Sequence, residues 1–179
     1  MRPGTKLAVL LASGALVWGL IAMAVCWREK PQKRAVRVAQ TALYASVDNP
    51  ESVKVAAVSE ADSVFGRCYI DDEEKMTIAM SMMKVNERVM SQTGDLGSMD
   101  FGNPALRELV ERQMSSMSAM RSLMSLEGPD APRKPFSGWK VKIEYEAVSE
   151  SGNPYRSEYW FILDKDAQCV VNSFEIPLL

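Results

Sequence analysis

The sequence predicts an α+β protein: an N-terminal transmembrane helix, then one domain whose helices pack on one face of a four-stranded antiparallel sheet ending in a three-stranded meander. Three observations carry this. Leu7 to Trp27, LAVLLASGALVWGLIAMAVCW, runs 21 residues without a charge, and as a helix it would be roughly 32 Å long, enough to cross a hydrocarbon core. Two long stretches between residues 72 and 126 repeat their apolar residues at helical spacing. After residue 138 the period changes from 3.6 to 2.

Taken in order, residues 1–6, MRPGTK, are a short basic start, and 28–32 are a basic flank leading into a domain over 33–179. Residues 7–27 have three readings. A signal-anchor is favoured by length and by the continuation through Val25, Cys26 and Trp27. A cleaved signal peptide is favoured by Ala22-Met23-Ala24, an A-x-A site. A lipoprotein signal acylated at Cys26 is the weakest, because Val25 stands where a small residue is expected. Arg28, Lys30, Lys33, Arg34 and Arg37 outnumber the charges before the segment, which by the positive-inside rule points the domain to the cytoplasm. A short basic start before an apolar run points to export, and an extracytoplasmic, periplasmic-side domain is the preferred reading.

Within the domain, Val36, Ala39, Leu43 and Val47 share one face of a helix over about 33–48, which Asn49-Pro50 stops. VKVAAV, residues 53–58, suits a strand that joins the meander. Residues 59–70 read as a loop, with a turn at Phe65-Gly66. Asp71 to Glu74 places four carboxylates in a row. This pattern invites a metal or acid–base reading, but Asp71 as cap with Glu74 three residues on makes a capping box, and negative charge suits a helix N-terminus. The helix runs over about 72–92. Its stripe Met76, Ala79, Met80 and Met83 lies beside Ile78, Met82, Val85 and Val89, so it is expected to be covered on much of its circumference. Thr93 to Gly102 is a Gly-rich loop without phosphate-loop spacing. Asn103-Pro104 opens a helix over about 104–126. There Leu106, Val110, Gln113, Met117, Met120 and Met124 form a seam for an antiparallel partner helix or a short dimer contact. A Pro-rich linker over 127–137 leads to strands at about 139–148, 155–163 and 168–176. In the first of these, Trp139, Val141, Ile143, Tyr145 and Ala147 alternate with Lys140, Lys142, Glu144 and Glu146. Those four, with Arg156 and Glu158, read as a solvated face with cross-strand ion pairs.

Composition excludes several functions. Histidine is absent, so a Ser-His-Asp triad, a Cys-His pair and a His-ligated zinc site cannot form within this chain. No Cys-x-x-Cys or Gly-x-Ser-x-Gly motif occurs. No catalytic residue, cofactor or metal ligand is therefore assigned, and the chain is read as non-enzymatic. In an exported domain Cys68 and Cys169 could form one disulfide; the simpler reading is two small buried hydrophobes. The formal net charge is −2; residues 1–27 hold two charges, Arg2 and Lys6, so the remainder carries −4. That is unsuited to nucleic acid, which needs clustered cations.

Methionine is the oddity: ten of the twelve lie between Met76 and Met124. Thioethers can hold Cu(I) or Ag(I), but without His or Cys among them the stripes more simply pack helices or bind an apolar partner. Met80, Met83, Met117, Met120 and Met124, with Trp139, Tyr145 and Tyr159 of the meander, form the candidate partner or ligand face.

Two stretches, VDNPESVKV and GWKVKIEYEAVSESGNPYRSEYWFILDKDAQCVV, resemble uncharacterised Bacteroidales-type small membrane-anchored or secreted α+β proteins, with a cystatin-like or NTF2-like sheet. The resemblance covers about a third of the chain. It implies an envelope location and helices on a curved sheet, and it carries no site residues. The expectation is a membrane-tethered, single-pass envelope domain serving protein–protein interaction or assembly. The alternative is a small-molecule or lipid-binding domain with a pocket between the Met-rich helices and the aromatic sheet. Cu(I) or Ag(I) binding through Met is a remote third.

Overall fold

A computed structural model describes residues 29–66, 69–93, 104–124 and 135–179; inside the helices, the side chains of 92–93, 119–120 and 122–124 fall outside that description. The apolar segment 7–27, Cys26 and Cys68 lie outside the described residues. From Pro31 onward the chain forms one compact unit. Its elements are α1 (Pro31–Ser46), a 3₁₀ turn (Pro50–Ser52), β1 (Lys54–Val58), β2 (Asp62–Phe65), α2 (Asp72–Thr93), α3 (Pro104–Met124), β3 (Phe136–Val148), β4 (Pro154–Leu163) and β5 (Val170–Leu178).

α1 starts on a proline, whose fixed φ and missing N–H suit the first helical turn. It ends before Asn49-Pro50, where the proline ring disfavours helical geometry in the residue ahead of it. Its buried stripe is Ala35, Ala39 and Leu43, with Val47 just beyond. Val36 lies at the margin, one position round from the expected centre. Pro104 opens α3 in the same way.

The sheet is antiparallel, in the order β1-β3-β4-β5, with β2 also paired to β3. It has five strands among the described residues, one more than expected. The additional strand, β2, lies in the stretch read as a loop. β3 is 13 residues long, so its outer edge takes β1 along Ile143–Glu146 and β2 along Phe136–Lys140. Between them Ser59 holds the chain to β3: its Oγ accepts from the Lys142 N–H at 2.9 Å, and its own N–H donates to the Lys142 carbonyl at 2.9 Å. At the other end the Ser52 Oγ accepts from the Val148 N–H at 2.9 Å. Gly138 is required where β3 passes β4: a Cβ there would meet the Leu163 carbonyl oxygen far inside the 3.0 Å limit of real contacts.

The helices do not share one face, which corrects the sequence-based expectation. Directly paired residues lie on the same side of an antiparallel sheet. Val141 with Phe161 and Ile143 with Tyr159 therefore mark one face, and α1 covers it through Ala35, Ala39 and Leu43. Trp160 with Phe174 marks the other, where α2 packs Ile78 and Met82. α3 runs beside the edge strand β5: its Ser116 hydroxyl donates to the Glu175 carbonyl. It also closes a third cluster on α2, through Leu106 against Val85 and Val89. Both sides of β3 therefore face helices. Its alternation reads as half solvated because the second face is covered at a charged patch rather than an oily one.

Candidate functional site

That patch begins at the α2 N-terminus. The Glu74 N–H donates to Asp71 Oδ1 at 2.8 Å, and the Asp71 N–H donates to Glu74 Oε2 at 3.0 Å, the reciprocal capping box expected from the sequence. The same Glu74 carboxylate receives Lys140 Nζ at 2.6 Å and Lys142 Nζ at 3.3 Å. Both ammonium groups also lie over the Trp160 ring, at 5.5 and 4.9 Å, a geometry in which the ring's negative face attracts a cation. The Lys140 and Glu74 side chains are only 9% and 12% exposed, so this end of the expected solvated face is instead buried. Farther along, Arg156 Nε donates to Glu144 Oε1 at 2.7 Å, and the cross-strand ion pairing is present there. The hydrogen bond from Glu74 holds the Asp71 carboxyl below its usual range.

A second polar cluster ties α3 to the sheet, and it was not read from the sequence. Arg112 Nη1 donates to both Glu175 oxygens, at 3.1 and 3.3 Å. The Tyr145 hydroxyl donates to Glu175 Oε1 at 2.8 Å. The Arg112 guanidinium stacks 3.6 Å from the Tyr155 ring centroid. Burial, reinforced by the Glu175 charge, pushes the Tyr145 hydroxyl far above its usual titration range. Burial opposes the Arg112 charge, but Glu175 and the tyrosine oxygens outweigh it and the guanidinium is held above its ordinary value. Glu175 breaks no visible pattern in VVNSFEIPL, so nothing in the string separates it from an exposed carboxylate. Arg112 adjoins Gln113 in a helix that looks polar at both positions.

The expected partner or ligand face divides in two. Trp139, Tyr145 and Tyr159 belong to the core under α1: Tyr159 stacks on Phe161 at 4.7 Å between centroids, and Trp139 Nε1 donates to the Lys165 carbonyl at 3.1 Å. They are not part of one surface with the methionines. Met120 and Met124 have side chains outside the described set. Met80, Met83 and Met117 are exposed, and Met76, Met90 and Met114 join them, ranging from 46% exposed for Met117 to 69% for Met83. α2 was expected to be covered on much of its circumference. Instead Ile78, Val85 and Val89 are buried, whereas the Met76–Met80–Met83–Met90 stripe is bare.

The exposed methionines lie along one seam. α2 and α3 meet where Gln113 Nε2 donates to Asn86 Oδ1 at 2.8 Å, and so the antiparallel partner of the α3 seam is α2. At about 100° per residue, Met83 lies roughly 60° round α2 from Asn86, and Met117 roughly 40° round α3 from Gln113. On α2 this is the side away from Ile78 and Val85, which face the sheet and α3. On α3 it is the side away from Arg112 and Ser116, which face β5. Both sets therefore border the outer groove of the helical hairpin.

Apart from these surfaces, a cleft of about 550 Å³ opens where the start of α3 meets the β3–β4 hairpin and the end of β5. Cys169 is exposed and carries a free thiol, so it is not packed as a small buried hydrophobe; Cys68, the other half of the candidate pair, lies outside the described residues. Among the described residues no helix is long and apolar enough to cross a membrane. No protein-family model, curated protein or solved structure matches this chain.

Proposed function

We propose that this chain is a membrane-tethered, non-enzymatic envelope domain that docks a protein partner along the methionine-bordered groove of its α2–α3 hairpin. The observation that carries the reading is the exposure of six methionines on one side of the helical pair. A soluble surface rarely leaves so many large apolar side chains together without a use. Methionine is unbranched and polarizable, so such a surface can repack around an apolar helix laid into the groove. The stripe Met76, Met80, Met83 and Met90 steps by four, three and seven residues, the spacing that meets another helix.

The uncharged run Leu7–Trp27 supports tethering, and its basic start supports an extracytoplasmic domain. The absence of histidine, of Cys-x-x-Cys and of Gly-x-Ser-x-Gly supports a binding role. The test is purification of the tagged full-length chain from its native membranes in mild detergent, comparing wild type with Met83→Glu/Met117→Glu. The reading expects a stoichiometric partner with wild type and its loss from the double variant. Recovery of the same partner by both, or of none by wild type, counts against it.

A further inference from the structure

Resting on the reading of Leu7–Trp27 as a membrane segment, we infer that the domain seats one end of its sheet on the bilayer, with Phe65 and Val171 entering the lipid interface. The partner here is the phospholipid surface, and the contact is separate from the methionine groove. Chain length selects the end. Only residues 28–30 separate Trp27 from the start of α1 at Pro31. A fully extended chain spans about 3.5 Å per residue, so Pro31 lies no more than about 14 Å from the last residue of the uncharged run. Whatever surface surrounds Pro31 is therefore held close to the lipid headgroups.

That surface is traced by contacts. Arg34, in the first turn of α1, donates from Nη1 to the Asp166 carbonyl at 3.1 Å, which puts the start of α1 at the β4–β5 turn. The neighbouring Lys165 carbonyl accepts from Trp139 Nε1. Trp139 meets Phe136 edge-on at 5.1 Å between ring centroids, and Phe136 meets Phe65 in the same way at 6.0 Å. Past the other end of α1, Asp48 approaches Arg112 at 3.9 Å, and Ser52 bonds Val148 beside the β3–β4 hairpin. α1 thus runs the length of the sheet. Its start, the β4–β5 turn, the beginning of β3 and the finish of β2 share the tethered end.

Two large apolar side chains stand bare there: Phe65 is 51% exposed and Val171, at the start of β5, is 65% exposed. The aromatic row begins at buried Trp139 and ends on the uncovered Phe65 ring. β2 flanks β3 and β5 flanks β4, so the two side chains sit on opposite edges of the sheet, three strand spacings or about 14 Å apart. The charges beside them nearly cancel. Lys33, Arg34 and Lys165 stand against Asp164 and Asp166, and the Asp164 carboxylate accepts from the Gln168 and Cys169 N–H groups. The attraction is therefore apolar, the means by which a phenylalanine enters the boundary between headgroups and acyl chains. Two such side chains at opposite edges, added to the covalent tether, hold the domain in one orientation.

The test is photocrosslinking of the full-length chain in phosphatidylcholine nanodiscs, with a benzophenone side chain replacing Phe65, Val171 or Tyr44, and intact mass as the readout for phospholipid adducts. Tyr44 is the control: it is 46% exposed and lies roughly 20 Å along α1 from Pro31, toward the opposite end of the sheet. Adducts are expected from positions 65 and 171, about tenfold above position 44, the change that follows from taking half of a phenylalanine side chain out of water. They should persist in high salt, because the contact is apolar. Phe65→Ser should lower the adduct from position 171 severalfold, and Tyr44→Ser should leave it unchanged. Equal labelling at position 44, loss of the adducts in high salt, or disc-bound chain without adducts at position 65 overturns this inference alone. A chain that does not comigrate with the discs overturns the membrane-segment reading and this inference with it.

Discussion

Replacing Glu74 by Gln separates two roles that one side chain holds. A Gln oxygen can still accept the Asp71 N–H, so the capping box survives. The charge between Lys140 and Lys142 does not. Lys140 is then left 9% exposed with no counter-ion, only the Trp160 ring at 5.5 Å. Removing one partner of a buried pair costs about 3–5 kcal/mol, because the remaining charge stays desolvated. The ring and the more exposed Lys142 soften this, so the expected loss is about 3 kcal/mol. For a domain of this size that lowers the melting temperature by about 6–12 °C. The assay is urea unfolding of the full-length chain in mild detergent, followed by near-ultraviolet circular dichroism. Adding Lys140→Met to Glu74→Gln should recover about 2 kcal/mol, because the buried charge is removed and the volume kept. A loss below about 1 kcal/mol for the single variant, or purely additive losses in the double, would refute the reasoning.

Three further outcomes follow from the same geometry. Gly138→Ala drives a methyl into the Leu163 carbonyl, which is backbone and cannot rotate away; urea unfolding should show a loss of about 3 kcal/mol. Tyr145→Phe removes the hydroxyl that donates to Glu175 at 2.8 Å but leaves Arg112 in place, so the same assay should show a loss of about 2 kcal/mol. Acid titration should show a stability limb set by lowered carboxyls: Asp71 through its bond from Glu74, Glu108 through Ser151, and Asp164 through the Cys169 N–H at 2.9 Å. A carboxyl lowered on folding stabilises the native state above its unfolded value near 4 and loses that contribution as pH falls through the lower folded value. The loss therefore begins below about pH 4, and Asp164→Asn should flatten the limb without changing stability's dependence on pH near 7.

Much of this fold could be read from local periodicity, and the failures have specific causes. The three helices and the meander lie close to their expected bounds because Pro31, Pro50 and Pro104 punctuate the chain and because TrpLysValLysIleGluTyrGlu alternates cleanly. β2 escaped because four residues with one buried side chain, Val64, carry no period, and only the length of β3 creates a place for them. The second covered face escaped because Lys140 and Lys142 look like solvent residues. Their burial depends on Glu74, 66 residues away from Lys140, and a ring supplied by β4. The candidate face split for a related reason. Periodicity shows that a residue lies on a stripe, not whether another element covers it, so exposed Met83 and buried Tyr145 looked alike. Arg112 and Glu175, 63 residues apart, meet only once α3 lies along β5.

The docking claim is tested most directly by placing a photoreactive benzophenone side chain at Met80, Met83, Met114 or Met117 of the full-length chain in its native membrane, one position at a time, with exposed Thr41 of α1 as the control. One adduct of the same mass is expected from all four groove positions and not from Thr41. That adduct should vanish from the Met83 probe when Met117→Glu is introduced. An identical adduct from Thr41, or none from the four methionine positions, would contradict the account.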